Sequence, residues 1–451
     1  IIFNLSASNE CVNKHKYLRS LISQQSGRLI AGYVYSSCGF GESSTDVVFS
    51  GNAFICENGS FLCEANRFNY EPQLLIGDID VDCLRNERLT NTTFKACRNH
   101  ITQSSLRMIM AKPLTKIGNL LHRTISPHPF IPDSEDYDET CNEVISIQCA
   151  GLAKRITHTQ AKSVVVGISG GLDSTLALLI CIRTFDRLGL DRKGIIAITM
   201  PGFGTTRRTY INAVKLIETL GCSLKEIDIK EACRVHLKDI GHPKELRDTV
   251  YENTQARERT QILMDIANQN NGIVIGTGDL SEIALGWSTY NGDHMSMYGV
   301  NSGVPKTLVK YLVQWIADNK TDSALRTILL DIISTPVSPE LLPSGENEEI
   351  EQRTEDVVGP YELHDFFLYH FIRYGATPQR ILDMAILAFA GSYDETIIKH
   401  WLSVFIHRFF AQQFKRSCMT DGPKVGSVSL SPRGDWRMPS DACSKLWLDK
   451  I

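Results

Sequence analysis

The sequence predicts an α/β protein, a doubly wound parallel sheet preceded by a smaller α/β segment. Three observations carry that prediction. The β-branched run Val164-Val165-Val166 reads as a strand, enters a small-residue loop from Gly167 to Ser174, and is followed at once by the apolar helical run Leu176 to Ile182. Strand and helix patterns then alternate as far as Gly276, which implies crossover units with ligands at the carboxyl edge of the sheet. Residues 1 to about 80 alternate in the same way and contain the hairpin dipeptide Asn58-Gly59.

The elements follow in order. Ile1 to Leu5 reads as a strand, Lys16 to Arg28 as a helix and Leu29 to Tyr35 as a strand, with a loop at Gly39 to Ser44. Asp46 to Phe49, Asn52 to Cys56 and Ser60 to Ala65 read as short strands, and residues 80 to 115 as trailing strands. Pro127, Pro129 and Pro132, followed by Asp133, Glu135, Asp136, Asp138 and Glu139, mark a linker. The expected division is residues 1–115, a linker at 116–140, and a second domain at 141–451. In the second domain Glu143 to Thr157, Tyr210 to Leu220 and Gln255 to Asn268 read as helices, and Gly194 to Met200, Leu224 to Ile229 and Gly272 to Gly276 as strands. A polar acidic stretch from Gly345 to Asp356 precedes helices at about 361–374, 378–390 and 394–417.

Bulk properties narrow the function. A chain of 451 residues holds two or three domains, and a formal net charge of −4 argues against a general nucleic-acid binder. No apolar run is long enough to span a membrane, and Ile1-Ile2-Phe3-Asn4 lacks the basic start of a signal peptide, so the expected location is cytoplasmic. Thirteen scattered cysteines without Cys-x-x-Cys pairs suit reduced thiols. Because the first residue is Ile and already strand-like, the chain is expected to begin inside a domain.

The loop at 167–175 is built to receive an anion. Backbone N–H groups of Ser169, Gly170 and Gly171 stand at a helix N-terminus, glycines permit positive φ, and Ser169, Ser174 and Thr175 add hydroxyls. Asp173 can reach a metal on a bound phosphate, and the missing Gly-Lys-Ser/Thr ending argues against γ-phosphate transfer. Ser-Gly-Gly-x-Asp-Ser resembles the pyrophosphatase loop of enzymes that split ATP into AMP and pyrophosphate. Further segments follow: Gly276-Thr277-Gly278-Asp279-Leu280-Ser281-Glu282, Ala284 to Tyr290, Gly303-Val304-Pro305-Lys306-Thr307, Phe414-Lys415-Arg416-Ser417, and Ser431 to Arg437. In this order they closely resemble glutamine-dependent NAD⁺ synthetases over nearly the whole chain.

That resemblance implies an ATP-pyrophosphatase-type sheet and a ligase reaction. ATP adenylates the nicotinate carboxylate of deamido-NAD⁺, pyrophosphate leaves, and ammonia displaces AMP to give NAD⁺. It implies ATP contacts at Gly167, Ile168, Ser169, Gly170, Gly171, Leu172, Asp173, Ser174, Thr277 and Lys306, with Asp173 and Lys306 catalytic and Mg²⁺ shared by Asp173 and Glu282. Thr335 is a further nucleotide candidate, and Arg207 or Arg208 could touch ribose or phosphate. Deamido-NAD⁺ contacts are implied at Asn253, Glu282, Trp287, Ser288, Thr289, Tyr290 and Lys415, the last with a dinucleotide phosphate as its partner, and Arg257 is a weaker candidate. Trp287 and Tyr290 also fit a plain reading as core aromatics. Another acceptor activated by the same loop is the competing reading, and a non-catalytic binding fragment is a third.

The first part of the chain resembles the C-terminal part of a nitrilase-type glutaminase domain. Asn4-Leu5-Ser6-Ala7-Ser8, Gly41 to Asp46 and Glu57-Asn58-Gly59 with Glu64 carry that likeness. It implies glutamine contacts at Ser8 and Lys14, and a truncated domain whose Glu–Lys–Cys site precedes Ile1, so the chain as given is expected to lack glutaminase activity. Cys38 is not the nucleophile by its place in the motif. Family members are expected to form homo-oligomers.

Overall fold

A computed structural model describes residues 1–42, 45–97, 107, 109–110, 122–132, 136–319, 321–335 and 358–451. Two compact units are present: Ile1–Ser126 with Tyr374–Ala376, and Pro127–Arg373 with Thr377–Ile451.

The first unit is built on a four-stranded sheet in the order β1 (Ile2–Ser6), β2 (Gly32–Ser37), β3 (Ala53–Glu57), β4 (Ser60–Glu64). Helix α1 (Lys14–Arg28) connects the parallel pair β1 and β2, and Ile22 packs with Tyr35, Phe54 and Cys56. The β3–β4 hairpin turns on Asn58 and Gly59, both at positive φ (47° and 95°), the pairing a right-twisted hairpin requires.

Two expectations for this unit are corrected. Asp46 to Phe49 forms no strand; the segment is tied down instead by Glu10 N–H donating to the Val48 carbonyl. Residues after 80 form helices α2 (Val81–Thr90) and α3 (Thr92–Cys97) rather than strands. Asp80 decides the first of these, its carboxylate accepting from Cys83 N–H at 2.9 Å as an N-cap, followed by Leu84, Arg85, Glu87 and Arg88, all at ease in a helix. Most of the expected strand region beyond 97, Ser43 and Ser44 of the predicted loop, and 345–356 lie outside the described residues.

The second unit is a five-stranded parallel sheet in the order β7-β6-β5-β8-β9, from β5 (Ser163–Gly167), β6 (Ile195–Thr199), β7 (Ser223–Glu226), β8 (Gly272–Gly276) and β9 (Tyr298–Gly299). The chain winds outward from β5 through β6 to β7, then crosses to β8 on the other side. The switch point therefore lies between the carboxyl ends of β5 and β8, where α/β sheets hold their ligands.

Alternate strand residues feed two cores. Val164, Val166, Ala197 and Ile275 pack with residues of α4 (Tyr137–Thr159), α5 (Leu172–Leu188), α6 (Arg207–Leu220) and, further along, α10 (Lys306–Asn319) and α11 (Ser323–Ile333). Val165, Ile196, Ile198 and Val274 pack with Cys233 of α7 (Lys230–Asp239) and with Ile266 and Ala267 of α8 (Thr249–Gln269). A sheet buried on both faces explains why its strands read as unbroken apolar runs. Short α9 (Leu280–Leu285) follows β8, and α12 (Tyr361–Tyr374), α13 (Pro378–Ala388), α14 (Glu395–Ala411), α15 (Gln413–Ser417) and α16 (Lys445–Leu448) complete the unit. Helix α4 begins within the expected linker, and the Trp315 indole N–H donates to Asp138 at 2.6 Å there. Among the described residues no helix is long and apolar enough to cross a membrane.

Candidate active site

The phosphate loop rests on one glycine more than on its neighbours. Gly170 has φ +90°, and a Cβ there would stand 2.2 Å from the Thr209 carbonyl oxygen of α6. Gly171, expected to share that freedom, is the N-cap of α5 in extended backbone (φ −89°, ψ 171°). Ser169 Oγ accepts from Gly171 N–H at 3.2 Å and lies 3.2 Å from Ser174 Oγ. Thr175 is not an anion donor: its hydroxyl is buried and donates to the Gly171 carbonyl at 2.8 Å, closing the first helical turn.

Across the switch point, β8 hands the chain to α9 through Thr277-Gly278-Asp279. Asp279 and Glu282 form a reciprocal capping box, with Glu282 N–H donating to Asp279 Oδ1 at 2.8 Å and Asp279 N–H to Glu282 Oε2 at 3.4 Å. The free oxygens of the same two residues meet the Lys306 ammonium. Lys306 Nζ lies 2.7 Å from Asp173 Oδ2, 2.8 Å from Asp279 Oδ2 and 2.8 Å from Glu282 Oε1. Three carboxylates around one ammonium leave a formal charge of −2.

Burial dominates the electrostatics. It raises the Asp279 carboxyl well above the ordinary range, and raises Glu282, with the neighbouring acids adding to the shift. Burial opposes the charge on Lys306, yet Asp173, Asp279 and Glu282 outweigh it and hold the ammonium well above its usual value. The Tyr361 ring lies 5.2 Å from Nζ, and burial pushes its phenol well up.

Two buried side chains that the sequence reading passed over hold these pieces in register. Asn301 donates from its amide to the carbonyls of Asp173 (2.9 Å) and Thr277 (3.0 Å), tying the phosphate loop to the β8 loop. Asp365, on the apolar helix α12, accepts from Ser281 Oγ, from Thr307 N–H at 3.0 Å and from Thr307 Oγ1 at 2.6 Å. A buried carboxylate in so apolar a helix signals buried partners, because unpaired it would be costly. Asp279 belongs to a segment the sequence reading did quote, where Asp-x-x-Glu has the spacing of a helix cap.

A cavity of about 890 Å³ opens over these groups at the carboxyl ends of β5, β6 and β8. Its walls include every residue for which an ATP or deamido-NAD⁺ contact was implied: Gly167 through Ser174, Thr277 and Lys306 for ATP, and Asn253, Glu282, Trp287 through Tyr290 and Lys415 for deamido-NAD⁺. Thr335 and Arg257 line it as well. Arg208 is engaged elsewhere, paired with Asp331 at 2.6 Å, and Arg207 is not among the walls.

Lys415 has a different role from the one expected. Its ammonium donates to the carbonyls of Gly286 (2.7 Å) and Ser288 (2.6 Å), so it pins the acceptor-end backbone instead of standing ready for a phosphate. Burial lowers its pKa. Arg408 donates to the Leu285 carbonyl at 3.1 Å and lies over the Trp287 ring. Thr289 Oγ1 donates to Asn253 at 2.7 Å, and Tyr290 stacks on His294.

Arg416 is fully buried and donates to the carbonyls of Ala284 (2.8 Å), Ile283 (3.3 Å) and Phe409. Together these three cations cap the C-terminal carbonyls of α9. Burial brings the Arg416 pKa down to about 9. Arg416→Met is expected to strand those carbonyls and lower stability by about 2–3 kcal/mol, read as a drop in Tm; an unchanged Tm contradicts the capping role.

Ser8 and Lys14 lie in the first unit. Lys14 Nζ donates to the Asn9 carbonyl at 2.5 Å. A cavity of about 530 Å³ in that unit is lined by residues including Glu10, His15 and Arg67, and neither Ser8 nor Lys14 is among them. All thirteen cysteines are free thiols.

A doubly wound sheet with a glycine loop at its switch point, opposite an acidic cluster and a buried lysine, belongs to the α/β nucleotide-binding enzymes. The chain is a member of the NAD synthase family, which residues 144–391 match. It is 42% identical over 481 aligned residues to the glutamine-dependent NAD(+) synthetase of Mycobacterium bovis, an alignment covering 100% of this chain and 70% of that protein. The enzyme of the same description from Mycobacterium leprae is 41% identical over 479 residues, with the same coverage. The crystal structure of a glutamine-dependent NAD(+) synthetase from Cytophaga hutchinsonii shares the fold with a TM-score of 0.58 at 16% identity, covering 99% of this chain and 70% of that one.

Proposed function

We propose that this chain joins ammonia to deamido-NAD⁺ at the expense of ATP, the final step of NAD⁺ synthesis. The observation that carries the reading is the single cavity in which the phosphate loop, the acid–lysine cluster and the 286–290 segment converge. A nicotinate carboxylate oxygen attacks the α-phosphorus, the bond to pyrophosphate breaks, and the acyl-adenylate forms. Ammonia then attacks the acyl carbon, loses its surplus proton, and AMP departs with the electron pair of the C–O bond.

The loop N–H groups of residues 169–171 and the α5 dipole favour charge growing on the leaving pyrophosphate. Lys306 supplies a positive charge beside it. The acidic cluster fits a divalent cation, since its charge is −2 and Asp173 Oδ1 is buried without a hydrogen-bond partner. Asp173 and Glu282 would hold Mg²⁺, and when bound it supplies charge neutralisation and Lewis acidity at the phosphates. Trp287 and Tyr290 offer aromatic faces for the pyridine ring.

Ammonia is the nitrogen that attacks, with glutamine its source in the relatives named for it. With ATP, Mg²⁺, deamido-NAD⁺ and ammonium the chain is expected to yield NAD⁺, AMP and pyrophosphate in equal amounts. Absence of NAD⁺ with ammonium overturns the synthetase reading.

A further inference from the structure

We propose that Lys306 is an exchangeable cation: its ammonium fills the acidic site in the nucleotide-free protein, and an entering divalent ion displaces it from Asp173 and Glu282 while Asp279 remains its partner. The inference rests on the metal assignment made above and deepens it.

The argument starts from a competition for atoms. The ligand oxygens of Asp173, Asp279 and Glu282 lie within 4.8 Å of one another, a spacing that suits a small ion. Lys306 Nζ already contacts one oxygen of each residue, at 2.7–2.8 Å. A divalent ion with oxygen ligands at about 2.0–2.6 Å would sit against the same ammonium, and the two like charges repel strongly at such range in a poorly solvated site. Both cations can be held only if the lysine gives up part of its coordination. Three carboxylates, one ammonium and one divalent ion then sum to zero charge, whereas the cluster with lysine alone stands at −2.

The three acids are not equivalent, and this sets the direction of movement. Asp279 is fully buried; its Oδ1 is committed to the α9 cap, and Lys306 is the cation at its Oδ2. Departure of the ammonium from Asp279 would leave a buried carboxylate without its counter-charge. The side chains of Asp173 and Glu282 are 24% and 22% exposed, both line the cavity, and Asp173 keeps a second oxygen without a hydrogen-bond partner. These are the two places an ion arriving from the cavity can take.

The backbone of Lys306 is held meanwhile. Lys306 N–H donates to Ser281 Oγ at 2.8 Å, and Thr307 N–H to Asp365 at 3.0 Å. Only the flexible side chain pivots about Asp279, carrying its charge from the acids toward a triphosphate lying in the phosphate loop.

The test uses Mn²⁺ alone as probe, with binding to the full chain followed by electron paramagnetic resonance of the free ion and no nucleotide present. Lys306→Gln is expected to bind Mn²⁺ at least tenfold more tightly than the wild type, while its NAD⁺ formation with ammonium falls at least a hundredfold. Equal or weaker Mn²⁺ binding overturns the exchange. Should Lys306→Gln fail to fold, the wild type decides. In its structure with Mn²⁺ and a non-hydrolysable ATP analogue, Nζ is expected to contact Asp279 but neither Asp173 nor Glu282, and an ammonium still bridging those two beside the bound ion overturns the proposal. Wild-type turnover with ammonium tests the synthetase reading separately, so loss of the exchange alone leaves that reading standing.

Discussion

Asp173→Ala is expected to lower ATP-dependent NAD⁺ formation at least a thousandfold while leaving the protein folded. Asp173 is the acid that joins the two halves of the site. It stands in the first turn of α5, behind the phosphate loop, and its carboxylate reaches across the switch point to Lys306 at 2.7 Å. Removing it deletes one of the two cavity-facing acids to which we assign the cation, and a thousandfold loss corresponds to about 4 kcal/mol of transition-state stabilisation. The fold is spared for a specific reason. Lys306 keeps Asp279 and Glu282 as counter-charges, so no buried ammonium is stranded. Pyrophosphate release with deamido-NAD⁺ and ammonium, measured beside a thermal melt, checks both halves of the expectation. Turnover within tenfold of wild type would remove Asp173 from the chemistry.

Gly170→Ala is expected to destroy both loop and activity. Two penalties act on the same atom. At φ +90° an L-residue is strained by about 1–3 kcal/mol, and the new methyl would stand 2.2 Å from the Thr209 carbonyl oxygen. That neighbour is helix backbone, not the flexible end of a side chain, so relief requires moving α6 away from the loop. A total loss of about 3–5 kcal/mol follows, with ATP binding lost as the loop we assign to the phosphates is displaced. Gly171→Ala is the internal control. Its backbone is extended, and the nearest atom to a new Cβ is Ser169 Oγ at 3.4 Å. Calorimetric titration of ATP and thermal unfolding of the two variants should separate them clearly; equal behaviour would contradict the close approach to Thr209.

The contrast between these glycines shows where the sequence was legible. The phosphate loop and the Asp173–Glu282 pair could be read because their chemistry is written in short contiguous segments. Those segments sit beside apolar strands that a doubly wound sheet buries on both faces. Asp279 stood in a quoted segment yet received no role, since Asp-x-x-Glu spacing marks a capping box that uses one carboxylate oxygen and says nothing of the other. Asn301 and Asp365 were out of reach for another reason: their partners lie far away in the chain, Asp173 and Thr277 for one, Ser281 and Thr307 for the other. Lys415 lines the cavity as its motif suggests, and its bonds to two backbone carbonyls were not legible, because a lysine ammonium satisfies carbonyls as readily as anions. The helix after Asp80 was missed when β-branched and apolar residues outvoted a cap whose effect is local.

The three cations gripping the end of α9 give the site a division of labour. The end we assign to ATP hangs from β5 and α5, while the end we assign to the acceptor hangs from side chains contributed by residues 408–416, over a hundred positions downstream. Tolerance for a different pyridine acid could therefore be tuned from that remote stretch, leaving the grip on adenylate untouched.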